Sequence, residues 1–111
     1  MAGTIKRLAG PAYIANAAAN IYVPPSALIF GVVRHIHIAN RTGGAVTFSL
    51  YVGATGGSAA GTELFGTHSL AANAEFDYYS ALKLLSTDFL TGIASAASSL
   101  VITVEGEEQV V

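Results

Sequence analysis

Apolar and polar positions alternate in short runs along most of the chain, and such runs predict β-strands. The clearest covers 45–52: Val46, Phe48, Leu50 and Val52 share one face, Thr47, Ser49 and Tyr51 the other. Before it, 28–40 is rich in branched residues that suit a pleated surface, with Ile36 and Ile38 facing one way and His35 and His37 the other. Arg41-Thr42-Gly43-Gly44 between them reads as a turn, so these two strands are expected to form a hairpin. Further strands are expected over 62–70, over 75–79 with a continuation at 82–85 after a bend near Ser80, and over 89–94. A last strand has Leu100, Ile102 and Val104 facing inward. The stretch 53–61 holds four glycines and reads as a flexible loop. No segment keeps a 3.6-residue period over three turns.

Residues 1–27 are different. A strand is expected near 4–8 and another at Ile21-Tyr22-Val23, but Gly10-Pro11 and Pro24-Pro25 interrupt the pattern. The segment reads as an extended N-terminal arm with the first strands, followed by a β-sandwich body at 28–106 and a short tail at 107–111. Seven or eight short strands with regular turns make an all-β protein. The expected architecture is an antiparallel β-sandwich of jelly-roll or immunoglobulin-like type, with a small β-barrel as the alternative.

Composition sharpens this picture. The chain has 111 residues, enough for one domain with its own core. Only 11% are charged, against about 25% in an ordinary soluble domain. A surface so poor in ions is suited to burial against other protein, and the chain is expected to be a homo-oligomer or part of a larger assembly. The five basic residues, Lys6, Arg7, Arg34, Arg41 and Lys83, form no stripe for nucleic acid. The charge-free run from Leu8 to Val33 contains Pro11, Pro24, Pro25, Asn16 and Asn20, which argues against a membrane span or a signal peptide. There is no cysteine, which excludes disulfides, thiolate metal sites and cysteine nucleophiles.

The stretch Val32-Val-Arg-His-Ile-His-Ile-Ala-Asn40, a glycine turn and Val46-Thr-Phe-Ser-Leu-Tyr-Val52 resembles small virion-associated proteins of tailed phages and prophages. Gly61-Thr-Glu-Leu-Phe65, Leu70-Ala-Ala-Asn-Ala-Glu75 and Val101-Ile-Thr-Val-Glu105 continue the likeness, which spans roughly residues 20 to 106. These are strand patterns and not catalytic signatures. The resemblance implies a structural protein of the decoration, cement or minor head–tail class, located in a virion assembled in the bacterial cytoplasm. Its implied partners are further copies of itself and the major capsid protein or tail proteins.

Candidate chemistry is sparse. His35 and His37 at i and i+2 are able to hold a divalent metal if His68 or Glu63 completes the set, but only two ligands stand together in the sequence. They read more simply as a half-polar sheet face or a subunit contact, and no metal or cofactor is expected. Glu75 and Asp77 lie two apart on one strand, not opposed across a cleft as a glycosidase requires. No Gly-x-Ser-x-Gly elbow and no phosphate-binding loop is present. No enzyme activity is expected. The residues expected at contacts are Ile5, Leu8, Tyr13, Ile14 and Tyr22 from the first segment, His35 and His37, and the tyrosines Tyr51, Tyr78 and Tyr79. Tyrosine buries area at low entropic cost and keeps a polar tip, which favours it at interfaces. The alternative function is a receptor- or carbohydrate-binding module of a tail or fibre, with Tyr78-Tyr79 as its aromatic platform.

Overall fold

The computed structural model describes residues 4–110, so positions 1–3 of the expected arm and Val111 of the expected tail lie outside it. Eight strands follow one another: β1 (Thr4–Tyr13), β2 (Ala19–Tyr22), β3 (Ile29–Asn40), β4 (Val46–Gly53), β5 (Glu63–Leu70), β6 (Glu75–Leu84), β7 (Phe89–Ala94) and β8 (Leu100–Val110). They form two four-stranded antiparallel sheets. Sheet A has the order β1-β8-β3-β6 and sheet B the order β2-β7-β4-β5.

The pairing is first with last, second with seventh, third with sixth and fourth with fifth. The chain is thus one long hairpin rolled into two layers, and every connection except β4 to β5 crosses between sheets. That path is a jelly roll, one of the sandwiches foreseen and not a closed barrel.

Two expectations need revision. β3 and β4 are not a hairpin, because they lie in different sheets. The glycine link at 41–45 spans the gap between layers, and Asn40 fastens it by donating to the carbonyls of Gly44 and Leu70. The first segment is also woven into the sheets: β1 pairs with β8 and β2 with β7, while residues 107–110 continue β8.

The core is the set of inward positions that alternation selects. Val33, Ile36, Ile38, Leu84, Leu100, Ile102 and Val104 of sheet A meet Val46, Phe48, Leu50, Leu70, Leu90 and Ala94 of sheet B. Val33 and Ile36 are three apart yet both buried, because register shifts on either side of β3 place an irregularity at Arg34. Rings from both layers close the side between β5 and β6. Phe65 stands edge-on to Phe76 at 5.2 Å and to Tyr78 at 4.9 Å, with Phe48 beneath.

Candidate functional site: the outer face of sheet A

The pairing of sheet A places its outward side chains in rows across four strands. Arg7, Glu105, His35 and Tyr79 form one row through the partners Arg7–Glu105, Glu105–His35 and His35–Tyr79. Thr103, His37 and Asp77 form the next. The irregularity at Arg34 turns His35 and His37 outward while Val33 stays in the core.

Three side chains converge here. Asp77 Oδ1 lies 2.7 Å from His35 Nε2 and 2.7 Å from His37 Nδ1. The far nitrogen of each ring also faces a carboxylate: His35 Nδ1 is 3.4 Å from Glu105 Oε1, and His37 Nε2 is 4.0 Å from Glu75 Oε1. The His35 ring stacks on Tyr79 at 4.4 Å and 2°. Hydrogen bonds from His37 and then His35 hold the Asp77 carboxyl below the usual carboxylate range.

Beside this cluster a hollow of about 570 Å³ is lined by Ile5, Arg7, Arg34, His35, Glu105 and Glu107. Arg34 closes one wall by donating from Nε and Nη2 to Glu107 Oε2, at 2.9 and 2.6 Å. Behind it Glu108 ties the layers together. It accepts from the Tyr22 hydroxyl of sheet B at 2.6 Å and from Lys6 Nζ at 2.9 Å. Burial pushes the Glu108 carboxyl up, but the bonds from Tyr22 and Lys6 outweigh it and the group ends below its ordinary value. The Tyr22 hydroxyl is pushed well up by burial and by the Glu108 contact.

The residues expected at contacts divide accordingly. Ile5, 83% exposed, and Tyr79, 73% exposed, are free on the edge strands of sheet A. Tyr13 is exposed as well, with the Arg41 guanidinium 5.9 Å from its ring centre. Tyr51 is half-buried on sheet B. Ile14 and Tyr22 are core residues and present no contact surface: Ile14 follows β1 and bonds to Leu100, and Tyr22 ends β2 with its side chain turned inward; Leu8 packs against the same core. Tyr78 and Tyr79 point to opposite sides of β6, so they form no common platform. His68 does not join His35 and His37: it sits among Phe48, Phe65 and Phe76. Glu63 instead accepts from the Gly61 amide at 2.8 Å. The third member of the cluster is Asp77, a position the sequence presents only as half of a carboxylate pair. Its alternation puts it on the outer face of β6, but its place opposite His37 depends on a register between strands far apart in the chain.

No protein-family model matches the chain, and no curated protein matches it. Three solved structures are similar to it in different degrees. A chain of the Bacillus endospore appendages, a family of disulfide-linked pili, is 21% identical with a TM-score of 0.54, over all of this chain and 92% of that one. A pentameric capsid protein from metagenomic phage sequences is 15% identical with a TM-score of 0.40, over 91% of this chain and 61% of that one. A chain of infectious bursal disease virus, Gt strain, is 9% identical with a TM-score of 0.42, over 96% of this chain and 28% of that one.

Proposed function

We propose that the chain is a structural protein of a virion, of the decoration, cement or minor capsid class, and that it works through protein–protein contacts and not by catalysis. The observation that carries this reading is the pair of long open edges of sheet A. β1 and β6 each run for ten residues with one side unpaired within the described chain. Such edges template pairing with another chain unless they are blunted. The edges of sheet B are shorter, four residues in β2 and eight in β5, whereas β1 keeps its length although register shifts and Pro11 interrupt it between Arg7 and Ala12.

The strands of sheet A alternate in direction from β1 to β6, so β6 of one copy is able to take β1 of the next antiparallel and continue the sheet. In level register Ile5 would lie beside the Lys83 stem, Arg7 beside the Tyr79 ring and Tyr13 beside Glu75. Each is a favourable pairing: apolar on apolar, cation on ring, and a phenol beside a carboxylate. A low surface charge fits such burial. The sequence resemblance to phage virion proteins points to the same class of role.

A second reading is a filament subunit. A head-to-tail contact of this kind closes into a ring or runs on as a filament according to its rotation. The fold shared with the endospore appendage subunit over the whole chain favours this reading. With no cysteine, copies of this chain would be held together without disulfides.

Purified protein at tens of micromolar, followed by sedimentation velocity and negative-stain microscopy, is expected to form oligomers. Ile5→Lys, which sets a lysine against Lys83, is expected to leave a folded monomer. Antibody against the chain should label phage particles; labelling of filaments alone selects the second reading. A wild-type monomer that labels neither overturns both.

A further inference from the structure

We propose that His35, His37 and Asp77 form a binding site for one divalent transition-metal ion, with Zn2+ as the fitting example. This goes beyond the assembly reading and does not depend on it. The three side chains each bring one ligand atom, and those atoms lie within 4.8 Å of one another. Two imidazoles and one carboxylate are a donor set that zinc takes with a water in the fourth position. The Asp77 oxygen occupies the focus, 2.7 Å from a nitrogen of each ring. Metal–ligand bonds of about 2.0–2.2 Å set tetrahedral ligand separations of roughly 3.3 Å, so the Asp77 oxygen needs to draw back from each ring nitrogen by about half an ångström while the two nitrogens, within 4.8 Å of one another, settle to the same spacing. All three are partly exposed and free to make that adjustment.

The surroundings answer what such a site needs next. A neutral imidazole that gives one nitrogen to a metal carries its proton on the other, and that proton wants an acceptor. Glu105 faces the far nitrogen of His35, and Glu75 faces that of His37. The Tyr79 ring, parallel to His35, holds that imidazole in its plane. The ligands stand on β3 and β6, which are paired directly opposite one another at His37 and Asp77, so the spacing is set by a sheet and not by a loop. The carboxylates also leave the site negatively charged once the rings are neutral, which favours a cation. His68, the remaining histidine, lies among the aromatic rings of the other side and serves as the internal control.

The test is titration of Zn2+ alone into the full-length protein after chelator treatment, read by calorimetry, with the visible bands of four-coordinate Co2+ as a second measurement. One ion per chain is expected. Asp77→Asn and His37→Ala, with folding checked by far-ultraviolet circular dichroism, should weaken binding at least tenfold and abolish the Co2+ bands. Glu105→Gln should weaken it about tenfold through the His35 ring. His68→Ala should bind as wild type. No binding at millimolar Zn2+ overturns the proposal. So does binding that survives Asp77→Asn and His37→Ala together, or that is lost equally in His68→Ala. An assembly that forms without metal, or a monomer that binds it, leaves the two readings separately decided.

Discussion

Asn40 sits at the end of β3, where the chain leaves sheet A for sheet B. Its side chain is buried, and its amide nitrogen lies 2.8 Å from the Gly44 carbonyl, 3.0 Å from that of Leu70 and 3.1 Å from that of Ala71. Its oxygen accepts from the Thr42 amide at 2.9 Å. One residue therefore binds backbone groups in two places, the link after β3 and the end of β5. Replacing it by alanine would strand several of them away from water. Asn40→Ala is expected to cost about 2–3 kcal/mol in urea denaturation, while Asn40→Asp, which cannot donate, should recover little. At this scale the sequence was partly legible. The outward direction of His35 and His37 followed from alternation alone. The burial of Ile14 and Tyr22 did not, because Ile14 lies in an alanine-rich stretch with no period and Tyr22 in a strand whose three residues are all apolar or aromatic, so neither stretch marks which face is inward.

At the scale of the element, the irregularities of sheet A matter more than its regular parts. β1 gains a residue between Arg7 and Ala9, and β3 gains one between Val33 and His35. They lie opposite successive steps of β8, Glu105 to Val104 for β1 and Gly106 to Glu105 for β3. Each extra residue switches which face the following positions occupy. Without it, Val33, His35 and His37 would share one side, and either the valine would leave the core or the histidines would enter it. Gly106 sits tight against β3: a Cβ there would overlap the Val32 carbonyl and stand 3.1 Å from the Arg34 amide. These are backbone atoms of β3, so no flexible side chain is there to yield. Gly106→Ala is therefore expected to destabilise the protein by about 3 kcal/mol or more. Thermal unfolding measures this, and amide exchange should show the loss concentrated in β3 and β8. The strands themselves were readable, down to 89–94. The bend expected near Ser80 lies where β6 slips register against β3, between Tyr79 and Leu82.

At the scale of the molecule, the first segment changes meaning. Read along the chain it is an arm that ought to be removable. In the fold it supplies β1, an edge of sheet A, and Ile14, whose amide donates to the Leu100 carbonyl while the Ala15 carbonyl accepts from Ala94. Deleting residues 2–19 would uncover β8 along one side and open the core at Ile14. The truncated chain is expected to aggregate or unfold, and circular dichroism with limited proteolysis would measure it. A stable, protease-resistant product would show that β1 is an appendage after all. The reason for the difference is that hydrophobic alternation reports which side of a strand is buried, never which strand lies beside it. The sequence by itself determined that the chain is all-β, with an alternating core, and that few of its residues carry charge. Those properties depend on neighbours two residues apart, or on composition. The rolled path, the crossing of Asn40 between sheets, the open edges of sheet A and the meeting of Asp77 with two histidines were decided only by tertiary structure. They rest on pairings between strands dozens of residues apart, whose register is set by packing the whole core at once.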